Sequence, residues 1–168
     1  RYELYAVAPD GGFGQLMGVA QQKRLALREE VAFFTDESRS RRVFSFKARS
    51  VMELNAGYDV FDDNGVQLGF FRKDFGASLL RSTFHLEGPG YTAVGQERSQ
   101  AGALVRRFLD IPFLPIHFDF TDPAGQVLLS SERQASVRDR YTVTVPDPRV
   151  DFRVAAAVAV GLDALMQR

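Results

Sequence analysis

Val154-Ala155-Ala156-Ala157-Val158-Ala159-Val160-Gly161-Leu162 is the longest apolar run in the sequence. Wound as a helix, these residues cover every azimuth of about two and a half turns and advance roughly 13 Å. A helix that is apolar all round has no face to offer water and must be enclosed. A bilayer is not the enclosure, because a membrane span needs about 20 such residues. Val154, Val158, Leu162 and Leu165 are therefore expected in the core. Gly161 accepts a helix penalty of roughly 1 kcal/mol so that a neighbour can approach closely. Upstream, Asp147 offers a cap and Pro148 suits the first helical position, which predicts a helix over Arg149–Met166. Arg149, Asp151 and Arg153 at one end, and Asp163, Gln167 and Arg168 at the other, are expected near the mouths of the enclosure.

Outward from this segment the sequence reads as strands. Phe44, Phe46 and Ala48 alternate with Ser45, Lys47 and Arg49, and Leu80, Ser82, Phe84 and Leu86 with Arg81, Thr83 and His85. Ile116, Phe118 and Phe120 alternate with His117, Asp119 and Thr121, and Tyr141, Val143 and Val145 with Thr142 and Thr144. A period of two with one apolar face marks antiparallel strands that have one side on a core. Asp10-Gly11-Gly12, Asp63-Asn64-Gly65, Gly88-Pro89-Gly90 and Asp122-Pro123-Ala124-Gly125 supply turns between them. In Asn64-Gly65 both residues tolerate positive φ, the signature of a tight hairpin. About ten to twelve strands are expected, in a sandwich or barrel. Tyr58-Asp59-Val60-Phe61-Asp62 … Gly65-Val66-Gln67-Leu68 recurs sixty residues later as Phe118-Asp119-Phe120-Thr121-Asp122 … Gly125-Gln126-Val127-Leu128. The echo is either a pair of related hairpins or ordinary hairpin grammar. One segment departs from the rhythm: Ala101, Leu104, Val105, Phe108 and Leu109 form a helical stripe within Ser99–Leu109, ended before Pro112.

Composition bounds the rest. With 168 residues the chain fits one domain, which at this size buries roughly 70% of its unfolded surface. Fifteen Phe and five Tyr, with no Trp, suit a sheet-lined core. Acidic and basic residues balance at 21 each, so no global field draws the protein to nucleic acid. Three of the basic residues are lysine (Lys23, Lys47, Lys73), and the rest are arginine. There is no Cys, hence no disulfide, thiolate metal site or Cys nucleophile. The chain opens at Arg1 inside the strand-like run Tyr2–Val7, which suggests a missing earlier strand.

No catalytic constellation emerges. Gly76-Ala77-Ser78-Leu79 lacks the second glycine of a nucleophile elbow, and His85 and His117 read as sheet-surface residues. Asp62-Asp63-Asn64-Gly65 lacks the alternating acids and terminal Glu of a calcium loop and reads as a hairpin turn. No metal or cofactor is expected. The candidates for binding are basic: Arg39, Arg41 and Arg42 in one run, then Arg72, Lys73, Arg81, Arg106 and Arg107. Converging guanidinium groups hold phosphate oxygens by bidentate hydrogen bonds. The alternative is a solvated surface of ion pairs, and Arg81 also suits a cross-sheet clamp.

Four motifs, in order, carry a family resemblance. They are Tyr58-Asp59-Val60 … Gly65 … Gly69, Arg72-Lys73-Asp74-Phe75, Ser78-Leu79-Leu80-Arg81-Ser82-Thr83-Phe84, and Asp151-Phe152-Arg153 … Val160-Gly161-Leu162-Asp163-Ala164-Leu165. With the terminal apolar helix they resemble the bacterial LURP-one-related or scramblase-like group of the tubby C-terminal-like superfamily. The resemblance spans nearly the whole chain. It implies a mainly β fold, a closed or nearly closed antiparallel barrel around the buried C-terminal helix, as one domain over 1–168. It also implies a non-enzymatic binding domain for phosphoinositide, other anionic lipid headgroups or another phosphate-bearing ligand. The alternative is a structural or protein-interaction module that docks through a barrel edge or the helix near 100–109. The sequence lacks the Cys cluster that carries palmitoyl groups in animal scramblases, and no transmembrane segment is expected. The expected location is cytoplasmic, at most peripheral to a membrane.

Overall fold

Period-two patterning becomes a single antiparallel sheet, and the apolar run becomes the helix it encloses. The computed structural model describes residues 1–20, 30–50, 57–76, 82–98, 117–134 and 140–166. Its strands are β1 (Tyr2–Val7), β2 (Phe13–Ala20), β3 (Glu30–Phe34), β4 (Arg42–Ala48), β5 (Tyr58–Asp62) and β6 (Gln67–Asp74). They continue as β7 (Thr83–Gly88), β8 (Tyr91–Glu97), β9 (His117–Thr121), β10 (Val127–Arg133) and β11 (Tyr141–Thr144), followed by α1 (Phe152–Met166). The eleven strands pair in sequence order, and every neighbouring pair is antiparallel. The expected Ser99–Leu109 helix lies outside the described residues.

The inner face is aromatic and the helix is small, so the two fit together. Phe33, Phe44, Phe46, Phe71, Phe84, Phe118 and Phe120 are fully buried, as are Val60, Leu86 and Leu129. Phe33 and Phe44 stack at 4.5 Å, Tyr58 and Phe71 at 5.2 Å, and Phe84 meets Phe118 edge-on at 5.5 Å. Rings this bulky leave a narrow channel, which alanine and valine fill. Residues Val154–Asp163 and Leu165 of α1 are all buried, and the helix packs on β4, β5, β6 and β11. The neighbour that Gly161 admits is Phe71: a Cβ there would meet the ring, with Cζ at 2.8 Å.

Three expectations need correction. The helix begins at Phe152, not Arg149. Asp151 is the cap, its Oδ1 accepting from Arg153 N at 2.9 Å, while Ala155 N bonds to its carbonyl at 3.1 Å. Asp147 instead heads a separate turn, with Arg149 N on its Oδ1 and Val150 N on its carbonyl. An i+2 carboxylate cap works at either position, and Asp151 lies next to the first residue with helical bonding. Second, Asn64 has no positive φ. Gly65 alone in that turn does, at 81°, because the loop is a three-residue turn closed by Asp62 N→Val66 O and Gly65 N→Asp62 O. Such a loop needs one left-handed residue rather than two. Third, no ladder among the described residues joins β11 to β1, so the sheet is an open ladder and not a closed barrel. Both edge strands nevertheless reach one helix carboxylate. Tyr2 Oη donates to Asp163 Oδ2 at 3.3 Å and Tyr141 Oη to Asp163 Oδ1 at 2.7 Å. Asp163 is consequently buried rather than placed at an open mouth.

The sequence echo has a structural counterpart. Asp62 Oδ1 accepts from the amides of Asn64 and Val66, and Asp122 Oδ1 from those of Ala124 and Gln126. Gly65 and Gly125 share one φ, 81° and 82°. Arg49 N bonds to Gly57 O while its guanidinium clamps Asp59; Arg98 N bonds to His117 O while its guanidinium clamps Asp119. Each arginine thus sits against the residue two before its aspartate, so the match extends beyond the turn to a third strand.

Candidate functional site

Strand alternation separates the two basic residues predicted together on β6. Tyr58, Phe71 and Leu86 pair along the inner face, which puts Lys73, two residues on, on the same side. Lys73 Nζ donates to the carbonyl of Leu165 at 3.1 Å, in the last turn of α1, with the Phe75 and Phe84 rings at 5.4 and 6.0 Å. It caps the negative end of the helix dipole, and burial pushes its pKa down. Arg72 faces outward opposite His85, whose Nε2 pairs with Asp74 Oδ2 at 3.0 Å. His85 is thus tied to a carboxylate rather than loose on the surface. Arg81, Arg106 and Arg107 lie outside the described residues.

Most described guanidinium groups are engaged. Arg49 forks onto Asp59 through Nε and Nη2, and Gln67 Nε2 donates to the same carboxylate at 2.7 Å. The Arg49 guanidinium also lies 3.7 Å above the Phe70 ring, which accounts for a buried aromatic on the outer face. A shallow cleft of about 240 Å³ runs beside it, between Gln67, Glu87 and Pro89. Arg98 forks onto Asp119 and reaches Glu132 Oε1 at 2.9 Å, with Ser130 Oγ also on Asp119. The Arg98 hydrogen bonds hold the Asp119 carboxyl below its ordinary range, and those of Arg153 do the same for Asp151. Arg149 pairs with Asp147, Arg42 with Glu30, and Arg1 with Glu3 and Glu37. This is planar, bidentate use of arginine, for which lysine is no substitute.

Two buried side-chain atoms have no hydrogen bond among the described residues, the Tyr91 hydroxyl and His117 Nδ1. Gly88 leaves space for the Tyr91 ring. Burial, then the nearby Asp151 and Asp147 carboxylates, push the phenol up to about 12. Among the described residues no group of His, Asp and Glu side chains is arranged to hold a metal.

The surface that stands out is apolar and lies on the β1–β2 hairpin. Tyr5 opposes Leu16 and Val7 opposes Phe13 across the ladder, so the four side chains share one face. All four are exposed, Val7 by 63% and Phe13 by 64%. The Tyr5 and Phe13 rings are 4.8 Å apart, and the Arg140 guanidinium lies 4.2 Å from the Phe13 centroid. Only Val19↔Phe34 registers β2 against β3, so the outer half of the hairpin stands clear of the described sheet. Its signal was present in the sequence. Tyr2, Leu4 and Ala6 alternate with Glu3, Tyr5 and Val7, which leaves apolar residues on both faces of one strand.

A model of the LURP-one-related family matches residues 17–163. Neither the curated proteins nor the solved structures contain a match.

Proposed function

The chain belongs to the LURP-one-related family, and from that footing we propose that it is a non-enzymatic binding domain that docks a partner protein through the outer face of the β1–β2 hairpin. The observation that carries this reading is the contiguous, exposed quartet Tyr5, Val7, Phe13 and Leu16. Aromatic anchors beside an arginine are the composition of binding hot spots. All four residues precede the stretch that the family model matches. A tubby-like, scramblase-like fold of bacterial type, with the sheet nearly rather than fully closed, cytoplasmic or peripheral to a membrane, belongs to the same proposal. It is supported by the enclosed helix and by the shared grip of β1 and β11 on Asp163.

Anionic lipid is the second reading, favoured by Arg72 and Arg140, which lie outside the ion pairs above. It draws less support than the hairpin, because Arg42, Arg49 and Arg98 are spent on carboxylates. The test compares the wild type with Val7→Asp plus Phe13→Asp in cross-linked capture from cell extract and in flotation on neutral and anionic vesicles. Both positions are exposed, and the melting transition of the variant is recorded beside that of the wild type. A specific partner captured by the wild type and lost by the variant is expected, without flotation of either protein. An identical captured set, or flotation on anionic vesicles that the variant retains, would overturn the hairpin reading.

A further inference from the structure

The two arginine clamps agree atom for atom, and they differ in what completes them. Asp59 pairs with Lys47 and Phe70, and Asp119 with Gln96 and Ser130. Both ladders carry the same bulge, ahead of Phe61↔Gln67 in one and Thr121↔Val127 in the other. In each, Nε of the arginine donates to Oδ2 of its aspartate and Nη2 to Oδ1. Arg98 then uses Nη1, which reaches Glu132 Oε1 at 2.9 Å. Glu132 is the second residue after Ser130, and the second residue after Phe70 is Arg72. Where one copy has a carboxylate, the other has a guanidinium. Arg49 donates to Asp59 through Nε and Nη2 alone, so its Nη1 has no partner among the described residues.

Local packing brings the two guanidinium groups of the first copy to one place. Gly57 stands where the second copy has His117. A Cβ on Gly57 would lie 2.7 Å from Arg72 Cβ and would meet the Phe70 ring, so the glycine lets both close in. Arg49 lies 3.7 Å above that same ring. Both arginines remain accessible: Arg49 keeps 48% of its side-chain surface in the folded chain, as much as Arg98, and Arg72 is partly exposed. Charge leaves room for one more carboxylate. Asp59 answers Arg49 and Asp74 pairs with His85, which leaves the charge of Arg72 in excess. Glu87 adds its field at Arg49 without an ion pair among the described residues. A phosphate would set more than one negative charge beside Asp59.

We infer that Arg49 and Arg72 together hold one carboxylate from outside the chain, in the place that Glu132 fills for Arg98. Its source is an acidic side chain of a polypeptide or a free carboxylic acid. Planar guanidinium groups suit a carboxylate, and stacking on Phe70 fixes one of them in advance. A single exposed ion pair is weak, so the second guanidinium is what makes a site of the first. This inference stands on the internal repeat and is independent of the hairpin reading.

Arginine side-chain NMR tests it through the Nε–H signals. The probes are a capped tripeptide of glycine, glutamate and glycine, its glutamine counterpart, acetate and inorganic phosphate, at millimolar concentrations and constant ionic strength. The expected result is that the glutamate peptide and acetate shift Arg49 and Arg72 along one saturation curve. Arg98 should not move, nor should the glutamine peptide move any of the three. Tighter binding of the peptide than of acetate assigns the site to a polypeptide, and any other order assigns it to free carboxylic acids. Arg72→Glu builds the second copy's arrangement into the first, so the response should be lost and the Arg49 signal should move toward that of Arg98. Arg72→Gln should lose the response without that move. No response, an equal response of Arg98, or tighter binding of phosphate than of either carboxylate would overturn the inference. So would displacement of the Arg49 signal by Glu53→Gln or Glu87→Gln without any probe, because an acid of this chain would then fill the place.

Discussion

Gly161 sets two effects of a single methyl group against each other. Alanine is the better helix former by about 1 kcal/mol, but its Cβ would enter the Phe71 ring, which is fully buried and has no room to retreat. Overpacking a core costs about 1–3 kcal/mol, so Gly161→Ala is expected to lower stability by about 1 kcal/mol in urea unfolding, despite its propensity. A rise in the midpoint would mean that the ring yields. Tyr91 gives the opposite expectation. Its hydroxyl is buried without a bond among the described residues, and removing an unsatisfied group while keeping the ring relieves a desolvation cost. Tyr91→Phe should stabilise by about 1 kcal/mol, read as a higher melting temperature. A loss of that size would reveal a bonded partner for the hydroxyl. At this scale the sequence was legible where packing decides. Val154, Val158, Leu162 and Leu165 are buried as expected, and Gly161 admits a neighbour. It grouped Lys73 with Arg72 as a binding candidate, because whether a strand residue faces in or out depends on the register of its partners. Lys73 lies inside, bonded to the helix end, and Arg72 beside it lies outside.

Turns show at the level of elements how one letter can be read for the wrong reason. Asn64-Gly65 marks a hairpin, and a hairpin is present, but the work is done by Asp62 and Gly65. Asp62 holds two amides on one oxygen, and Gly65 supplies the left-handed conformation. Nothing lies within 4 Å of a Cβ placed on Gly65 or on Gly125, so substitution there meets conformational strain without a clash. Gly65→Ala and Gly125→Ala should each cost about 1–2 kcal/mol, equally if the two hairpins are equivalent. Asn64→Ala should cost a few tenths at most. Chemical denaturation of the three variants checks this, and a penalty at Asn64 as large as at Gly65 would restore the two-residue turn. The helix start was misplaced for a related reason. Asp147-Pro148 and Asp151-Phe152 both satisfy the cap grammar, and only the ladder that Ala155 N closes on Asp151 decides between them. The clamps Arg49–Asp59 and Arg98–Asp119 were not legible, since each pairs residues from different strands.

For the whole molecule, charge and enclosure make separate predictions. Asp119 and Asp151 have folded-state pKa values below the ordinary 3.8, through the hydrogen bonds of Arg98 and Arg153 respectively. A depressed carboxyl contributes stability that is fully present above its unfolded pKa and lost as pH falls through the folded one. The urea midpoint should therefore hold from neutrality to about pH 4 and decline below it. Asp119→Asn should lower the midpoint at neutral pH and flatten that decline. A decline of unchanged steepness in the variant would remove the Arg98 clamp from the account. What sequence alone could not decide was closure. A period of two shows that strands share a core, but it does not say whether the first and last meet, and here both stop at Asp163 instead of at each other. Enclosure of α1 was legible because a run without a polar face leaves few alternatives. Hydrogen exchange of the α1 amides measures that enclosure directly. If Val154–Leu162 is the core of the domain, its amides exchange only when the whole protein unfolds. They should then match the slowest amides of β5 to β7 and show the same dependence on urea. Exchange of α1 ahead of those strands, with a shallow urea dependence of its own, would show a helix that leaves the intact sheet and would contradict the enclosed-core account.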